Sequence, residues 1–321
     1  MRAVVVNEPG GPEALEIVER PDPEPGPGEV LVRVRAAGVN RADVLQRQGH
    51  YKPPPGATDV LGLECAGEIA AVGEGVSGFA EGDAVCALLT GGGYAELVPV
   101  PVGQIAPVPD GLDVVQAGAV METSCTVWAN VVMLGGLRSG QRLLVHGGGS
   151  GIGTTAIQVA TALGAKVATT VGSAEKGEVC RDLGADLVVN HREQDFAEEL
   201  RDDPADVVLD IIGAKYLEKN VSVLATNGRL VIIGLQGGVK AELNLGALMS
   251  HQGSVSGTLL RARDAEAKAE IVAATVENVW PMIADGRVRP IVHATFPLAE
   301  AADAHRVLEE SSHVGKVVLT L

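Results

Sequence analysis

The sequence predicts an α/β protein made of a β-rich domain and a doubly wound parallel α/β domain. The chain has 321 residues, which at roughly 150 residues per domain favours two domains. Hydrophobic residues make up 46% of the chain and aromatic residues only 2%, so valine, leucine, isoleucine and alanine must form the core. This composition suits a buried parallel sheet covered by helices, and strand and helix patterns alternate beyond about residue 140.

The first third of the chain has the pattern of short strands. Ala3–Val6 is a short apolar run, and Glu29–Ala36 alternates as a half-buried strand does, after a proline-rich loop. Further short strands separated by glycine turns continue to about Pro99, and no long helical period appears before Val114. This part of the sequence therefore predicts the β-rich domain.

The pattern changes at Leu143–His146, an apolar run that predicts a buried strand. The glycine-rich segment Gly147–Gly153 follows, and Thr154–Leu163 then has apolar residues at helical spacing, ended by Gly164. The strands and helices predicted next are Lys166–Val171, Glu175–Leu183, Asp186–Val189, Asp206–Ile212, Tyr216–Leu224 and Arg229–Ile233. This alternation indicates a doubly wound parallel sheet.

The last part of the chain departs from the alternation. A long helix is predicted at Ala265–Ala284, a strand at Pro290–Phe296, a helix at Leu298–Leu308 and a strand at Lys316–Leu321. We expect this tail to return to the first domain.

The net charge and the cysteines exclude several classes of function. A formal net charge of −16 repels nucleic-acid phosphates, so no nucleic acid is expected as a partner, and a phosphorylated cofactor would need local positive groups. Cys65, Cys86, Cys125 and Cys180 form no CxxC pair, so neither a metal site nor a disulfide framework is predicted, and a cytoplasmic location is expected. We find no pattern of a signal peptide or of a membrane span, and expect no membrane partner.

The strand, glycine-rich turn and helix around Gly147–Gly153 predict a dinucleotide site on a Rossmann unit. Glycines let the backbone approach a pyrophosphate, and the first turn of the helix offers free N–H groups and a positive dipole end. The G-x-G-x-x-G fingerprint maps here with Ser150 in place of its second glycine. The residues of this candidate turn are Gly148, Gly149, Ser150, Gly151, Ile152 and Gly153. An ordinary glycine-rich β-to-α turn is the alternative.

The end of the next strand favours NADPH over NADH. An NAD site usually has an acidic residue there to bind the ribose 2′-hydroxyl, whereas this strand ends with Val171, Gly172 and Ser173. Lys176 follows within one helical turn and could neutralise a 2′-phosphate. A solvated surface lysine is the alternative for Lys176.

Several further segments resemble the zinc-independent medium-chain dehydrogenases/reductases of the quinone oxidoreductase group, most closely their p53-inducible branch. They are Gly38–Asp43, Gln46–Tyr51, Pro53–Gly56, Leu61–Glu64, Gly91–Glu96, Gly228–Arg229 and Gly315–Leu319. The resemblance covers essentially the whole chain. It implies a GroES-like catalytic domain at residues 1–123 and 265–321 and an inserted Rossmann domain at 124–264.

The resemblance also implies an activity and an assembly. It implies transfer of a hydride from NADPH to a quinone, in the cleft between the domains, by a homodimer whose Rossmann sheets meet near Ser254–Leu260. Zinc-dependent relatives have cysteine where Asn40 stands and histidine where Leu63 stands, and neither residue here is a usual zinc ligand. No metal is therefore expected.

Roles for individual residues follow from the resemblance alone. Asn40 would lie near the nicotinamide and the acceptor, and Tyr51 would line the acceptor pocket, although Tyr51 could instead pack against its proline-rich loop. Gly172, Ser173 and Lys176 would bind the 2′-phosphate. The residues implied at the nicotinamide end are Thr126, Gly234, Leu235, Thr258, Leu259 and Leu260, with Lys316 closing the site.

One residue departs from the family pattern. The family often has tyrosine after the asparagine that corresponds to Asn190, whereas this chain has His191. A histidine binds phosphate more strongly when it is protonated, so the affinity for NADPH is expected to depend on pH.

Two other functions fit the same residues. An alkenal or enone reductase would use the same hydride but would also deliver a proton to the neighbouring carbon. A non-catalytic NADPH-binding protein would keep the fold and lose turnover, because a fold alone does not determine function.

Overall fold

The computed structural model describes all residues from Met1 to Leu321, and these form two compact units. The first unit consists of Met1–Cys125, Leu260–Ala284 and Pro290–Leu321. The second consists of Thr126–Leu259 and Asp285–Arg289. The predicted α/β class, with a β-rich part and a parallel-sheet part, is confirmed.

The β-strands occupy both units and are numbered in chain order. They are β1 (Arg2–Val6), β2 (Leu15–Glu19), β3 (Glu29–Val39), β4 (Glu64–Val72), β5 (Ala84–Leu88), β6 (Leu97–Pro101), β7 (Ile105–Pro107), β8 (Arg142–His146), β9 (Lys166–Val171), β10 (Leu187–Asn190), β11 (Ala205–Asp210), β12 (Leu224–Ile232), β13 (Ser254–Gly257), β14 (Val292–Pro297) and β15 (Lys316–Thr320).

The α-helices are mostly short and are numbered in the same way. They are α1 (Arg41–Arg47), α2 (Val114–Ala117), α3 (Met121–Val127), α4 (Gly151–Ala162), α5 (Ala174–Asp182), α6 (Phe196–Glu199), α7 (Leu217–Ser222), α8 (Leu245–Ser250), α9 (Ala265–Ala284) and α10 (Ala301–Glu310). Trp128–Leu134 is a π-helical segment, and short 3-10 turns lie at Pro12–Ala14, Val102–Gln104, Ala214–Tyr216 and Leu298–Glu300.

The first unit contains a seven-stranded sheet in the order β14-β15-β3-β4-β5-β7, with β6 paired to β3. Strand β15, from the end of the chain, lies antiparallel to β3, so that Val317 faces Val39. The core is mainly aliphatic and includes Val32, Ile69 and Leu319. The tail residues therefore complete the sheet that carries the Asn40 segment.

The second unit contains six parallel strands in the order β10-β9-β8-β11-β12-β13. Strands β8 and β11 are central and are filled with buried leucine and valine. The order reverses at β8, and the carboxyl ends of all six strands lie along one edge. In such sheets, ligands bind outside that edge, at the point of reversal.

Two local features were not predicted from the sequence. Helix α1 lies where no helical pattern was predicted; it is seven residues long, and Asp43 in its first turn accepts a hydrogen bond from the N–H of Asn40. The run that follows α3 continues as the π-helical segment, a distortion that often marks functional sites. None of the helices is long and apolar enough to cross a bilayer.

Candidate active site

The glycine-rich turn lies between β8 and α4, at the carboxyl edge of the parallel sheet. Gly147 has a positive φ of 74°, a conformation that favours glycine. Ser150 is the N-cap of α4, and its Oγ accepts a hydrogen bond from the N–H of Gly153 at 3.0 Å. The serine that replaces the second glycine of the fingerprint therefore has a structural role in starting the helix.

The turn leaves no room for side chains on its inner surface. A Cβ on Gly153 would lie 2.6 Å from the Cα of Gly148, and a Cβ on Gly148 would lie 2.8 Å from Sγ of Cys180. A Cβ on Gly149 would lie 3.0 Å from Cδ of Lys176. The backbone at the start of α4 is therefore bare, as close approach of a pyrophosphate requires, and Lys176 lies beside it.

The side chains of His191 and Arg192 lie close to Gly172, just beyond the end of β9. A Cβ on Gly172 would lie 3.4 Å from Nε2 of His191 and 3.9 Å from the guanidinium of Arg192. Burial lowers the pKa of Lys176, and the positive charge of Arg192 lowers it further. Positive side chains on neighbouring elements make this edge of the sheet favourable for an anion.

Arg192 was not among the residues predicted from the sequence. It directly follows His191, and its positive charge matches the requirement set by the net charge of −16, so the signal was present in the sequence. Arg192 becomes a candidate only when β9 and β10 are known to be neighbours.

Ser173 and Glu175 complete the end of β9. Ser173 is the N-cap of α5 and accepts a hydrogen bond from the N–H of Lys176. Hydrogen bonds from its own backbone N–H and from Ser173 lower the pKa of the exposed Glu175 carboxyl. An acidic group therefore does lie near the second strand, in the first turn of the following helix, where a carboxylate is favourable.

Two residues predicted at the nicotinamide end, Thr126 and Thr258, are linked through Asn130. The amide of Asn130 donates to the carbonyl of Thr126 at 2.8 Å, and its Oδ1 accepts from the hydroxyl of Thr258 at 2.6 Å. Asn130 lies on the π-helical segment and is buried. Sequence reasoning missed Asn130, because its partner is 128 residues away.

The other residues predicted at this end follow β12 and β13. Gly234 packs against the backbone of Ile211, where a Cβ would lie 2.8 Å from its carbonyl oxygen. Leu235 and Leu259 are more than half exposed, at 53% and 55%. Exposed leucines near the carboxyl ends of parallel strands suit contact with an apolar ligand surface. Leu260 is half-buried and belongs to the first unit.

The first unit places Asn40, Glu64 and Lys316 in one buried cluster. Nζ of Lys316 donates to Oε1 of Glu64 at 2.7 Å and to Oδ1 of Asn40 at 2.5 Å. The amide of Asn40 donates to the same Glu64 oxygen at 3.1 Å. Gly38 makes room for this cluster, because a Cβ there would collide with the Glu64 carboxyl. Both ends of the Asn40 amide are therefore fixed.

A second buried chain of polar groups starts at Asp43. The hydroxyl of Tyr94 lies 3.3 Å from Oδ2 of Asp43 and 3.1 Å from Nε2 of His305. Burial raises the pKa of Asp43 to about 6 and lowers the pKa of His305 to about 3. Oδ1 of Asp43 also accepts from the N–H of Gly62, so this group ties α1 to the segment that precedes β4.

Tyr51 lies beside Arg261 in the first unit. The Arg261 guanidinium carbon is 5.4 Å from the centroid of the Tyr51 ring, a cation–π arrangement. Burial raises the pKa of the Tyr51 hydroxyl, while the positive charge of Arg261 lowers it. Arg261 was not among the residues predicted from the sequence.

His146 and the four cysteines have structural surroundings. His146 is buried between Thr170 and Asn220, and burial lowers its pKa to about 4. All four cysteines are buried, and burial raises the pKa of each thiol. No group of three or more histidine, cysteine, aspartate and glutamate side chains is placed to hold a metal ion.

The comparisons with known proteins cover the whole chain. Residues 26–110 match the family model described as the alcohol dehydrogenase GroES-like domain, and residues 183–319 match the one described as zinc-binding dehydrogenase. A quinone oxidoreductase of Pseudomonas aeruginosa is 37% identical over 316 residues, which are 97% of this chain and 96% of that protein.

Solved structures are also similar to this chain over its full length. The Escherichia coli quinone oxidoreductase in complex with NADPH is 29% identical, with a TM-score of 0.91 over 100% of both chains. A structure named as an NAD-dependent alcohol dehydrogenase is 35% identical, with a TM-score of 0.87 over 100% of both chains.

Proposed function

Because the chain belongs to the quinone oxidoreductase family, we propose that it is an NADPH-dependent oxidoreductase that transfers a hydride to a quinone-type acceptor without zinc. The observation that carries the proposal is the pairing of the bare turn at Gly148–Gly153 with the cations of Lys176 and Arg192. A bare helix N-terminus suits a pyrophosphate, and the additional cations suit a further phosphate.

The residues of the second unit fit a phosphorylated dinucleotide. Gly148, Gly149, Ser150, Gly151, Ile152 and Gly153 would hold the pyrophosphate. Gly172, Ser173, Lys176, His191 and Arg192 would hold the 2′-phosphate. Thr126, Thr258 and Leu259 would contact the nicotinamide end, together with Gly234, Leu235 and Leu260. The bound nicotinamide supplies a hydride, which is two electrons with a proton.

The first unit supplies the acceptor side of the proposed reaction. Tyr51 would contact the acceptor, and Asn40 would present its amide in a fixed orientation. Lys316 acts on Asn40 by holding its Oδ1 and is a positioning residue in this scheme. A quinone needs no strong acid from the protein, because solvent can protonate the hydroquinone oxygen, so orientation and exclusion of water provide the catalysis.

The absence of zinc from the proposed reaction rests on residue identity. Asn40 and Leu63 stand where zinc-dependent relatives have cysteine and histidine. An amide bound to Glu64 and Lys316 and a buried leucine side chain are not usual zinc ligands.

The test of the function is oxidation of NADPH and NADH across a panel of quinones and 2-alkenals. We expect 1,4-benzoquinone-type acceptors to be reduced, with NADPH preferred over NADH. Reduction of 2-alkenals that is faster than reduction of quinones would instead support the enone reductase alternative. Tight binding of NADPH without turnover of any conjugated acceptor would support the non-catalytic alternative.

Replacement of Tyr51 by phenylalanine tests its chemical role separately. The ring and its cation–π contact with Arg261 would remain in Tyr51→Phe, and only the hydroxyl would be lost. We expect reduced turnover of quinone with unchanged NADPH affinity. Unchanged turnover would leave Tyr51 as a packing residue of its loop.

A cytoplasmic homodimer belongs to the same proposal. Strand β13 is an edge strand, and the neighbouring helix α8 exposes Leu245 at 64% and Met249 at 76%. Edge strands and exposed apolar side chains suit association with a second copy of the sheet. We expect light scattering to give a dimer mass for the wild type and a lower mass for Met249→Glu.

A further inference from the structure

Arg261 carries a buried positive charge whose terminal nitrogens have no acceptor. Only 5% of the residue surface is exposed, and its Nε donates to the carbonyl oxygen of Thr90 at 2.7 Å. Nη1 and Nη2 are both buried and have no hydrogen-bond partner. A guanidinium remains charged in proteins, so these donors remain present and unsatisfied.

The other buried cations of the first unit are satisfied. Lys268 donates to Oγ1 of Thr90 at 2.5 Å, and Lys316 is paired with Glu64. Arg47 is paired with Glu309. Because leaving buried donors unpaired costs free energy, most of all for a charged group, the exception at Arg261 points to a ligand group that would pair with it.

The space beside Arg261 suits one small polar atom. A cavity of about 10 Å³ touches the guanidinium, and its lining includes Leu63, Leu260, Lys268 and one carboxylate, that of Glu122. This volume holds about one water-sized atom. The Tyr51 ring lies over the guanidinium, so a ligand that contacts Tyr51 would come close to Arg261.

We propose that Arg261 binds the carbonyl oxygen of the acceptor and stabilises the oxyanion that forms on reduction. This inference rests on the proposed function. When one quinone oxygen receives the hydride, the electron pairs move through the ring and the opposite oxygen becomes a phenolate. The two terminal N–H groups of Arg261 hold that oxygen, and a proton from solvent then completes the hydroquinone. Preorganised donors of this kind act only as the negative charge develops.

The first experiment compares Arg261→Gln and Arg261→Lys with Arg263→Gln. Arg263 is an exposed arginine on the same loop and serves as the matched control. With 1,4-benzoquinone and NADPH, we expect Arg261→Gln to lower kcat by about 10²–10³-fold, as loss of an oxyanion donor does. We expect Arg261→Lys to lower kcat less, because a single ammonium group replaces the two terminal nitrogens of the guanidinium. Arg263→Gln should match the wild type. The dissociation constant of NADPH should be unchanged in all three.

The second experiment measures the same site without turnover or cofactor. 4-Nitrophenol is a flat probe whose phenolate has a distinct visible absorbance. Wild-type protein should bind the phenolate and lower the apparent pKa of the bound probe, and Arg261→Gln should lose both effects. This readout would not change if Arg261 served only to support the fold. If Arg261→Gln does not fold, Arg261→Lys should show a weaker effect on the probe.

The outcomes separate this inference from the proposed function. Wild-type kcat and a wild-type probe shift in both Arg261 variants would overturn the inference, and ordered water would then account for the cavity. Probe binding that depends on Arg261, in a wild type that reduces no quinone, would support the oxyanion site and overturn the proposed function.

Discussion

Nζ of Lys316, at the start of the last strand, lies 2.7 Å from Oε1 of Glu64, at the start of β4, in an ion pair that is almost completely buried. The side chains are 5% and 0% exposed, and the pair also holds the amide of Asn40. This ion pair thereby connects the last strand of the chain to the segment that carries the candidate acceptor site.

Loss of one partner of this pair should destabilise the protein strongly. Lys316→Met would leave the Glu64 carboxylate buried without its counter-charge, and we expect a loss of about 3–5 kcal/mol in the free energy of unfolding. Urea denaturation measures it. Lys166→Met is the control, because the pair of Lys166 with Asp203 is about half exposed, and we expect a change below about 1 kcal/mol there. An equal loss of unfolding free energy in the two variants would show that burial of the Lys316–Glu64 pair does not increase the cost of breaking it.

Gly153→Ala should damage the dinucleotide turn. The added Cβ would lie 2.6 Å from the Cα of Gly148, so the backbone itself must move. We expect lower thermal stability together with loss of NADPH binding in a fluorescence titration. Gly246→Ala in α8 is the matched control, since its Cβ would come no closer than 3.4 Å to Oδ1 of Asn244. Normal NADPH binding by Gly153→Ala would show that the turn does not approach the cofactor.

Lys176 and Arg192 should set the preference for the phosphorylated cofactor. Hydrogen bonds to charged groups contribute about 1.5–3 kcal/mol, so Lys176→Ala and Arg192→Ala should each weaken NADPH binding by about 10- to 100-fold. NADH binding should change little, because NADH lacks the 2′-phosphate. Calorimetric titration with both cofactors measures the ratio, and exposed Lys240 provides the control variant Lys240→Ala. Equal weakening of NADPH and NADH would place these cations elsewhere than at the 2′-phosphate.

His191 should make NADPH affinity depend on pH. Histidine changes charge between about pH 5 and 8, so its positive form at the acidic end adds attraction for a phosphate. We expect a lower Michaelis constant for NADPH at about pH 6 than at about pH 8. A Michaelis constant for NADPH that does not change with pH in the wild type would remove His191 from the site. In His191→Tyr, this constant should not change with pH in any case.

His146 should make the protein less stable in acid. Burial lowers its pKa to about 4, whereas in the unfolded chain a histidine takes up a proton near about pH 6.5. Between these two pH values the unfolded state binds more protons than the folded state. The contribution of His146 to the free energy of unfolding is therefore complete above about pH 6.5, and at most about 3 kcal/mol of it is lost as the pH falls.

Two buried carboxyls oppose this effect. The pKa values of Asp43 and Asp210 are raised by burial to about 6, so their contribution falls as the pH rises toward that value. The contribution of His146 is therefore isolated by a variant. We expect His146→Gln to show a smaller loss of unfolding free energy on acidification than the wild type, measured by denaturation at several pH values. The exposed His50→Gln should behave like the wild type.

Much of the fold was predictable from periodicity, and the failures are local. Helix α9 at Ala265–Ala284 and strand β9 at Lys166–Val171 have the predicted bounds, because a long helical period and a short apolar run are both local signals. Helix α1 was missed because it is only seven residues long and follows the extended Asn40. Its first turn is held by Asp43, whose contacts with Tyr94 and Gly62 come from elsewhere in the chain.

The sequence by itself predicts where a phosphorylated dinucleotide would bind, because a glycine turn, a helix start and the end of the next strand all lie within Leu143–Lys176. Only the tertiary structure decided which charges are buried and with what partners. Lys316 and Glu64 are 252 residues apart, and Thr258 and Asn130 are 128 apart. The terminal donors of Arg261 are buried only because segments far apart in the sequence, such as that of Thr90, pack around them. The burial and pairing of charged side chains depend on which segments pack together, and the local pattern of residues does not predict that packing.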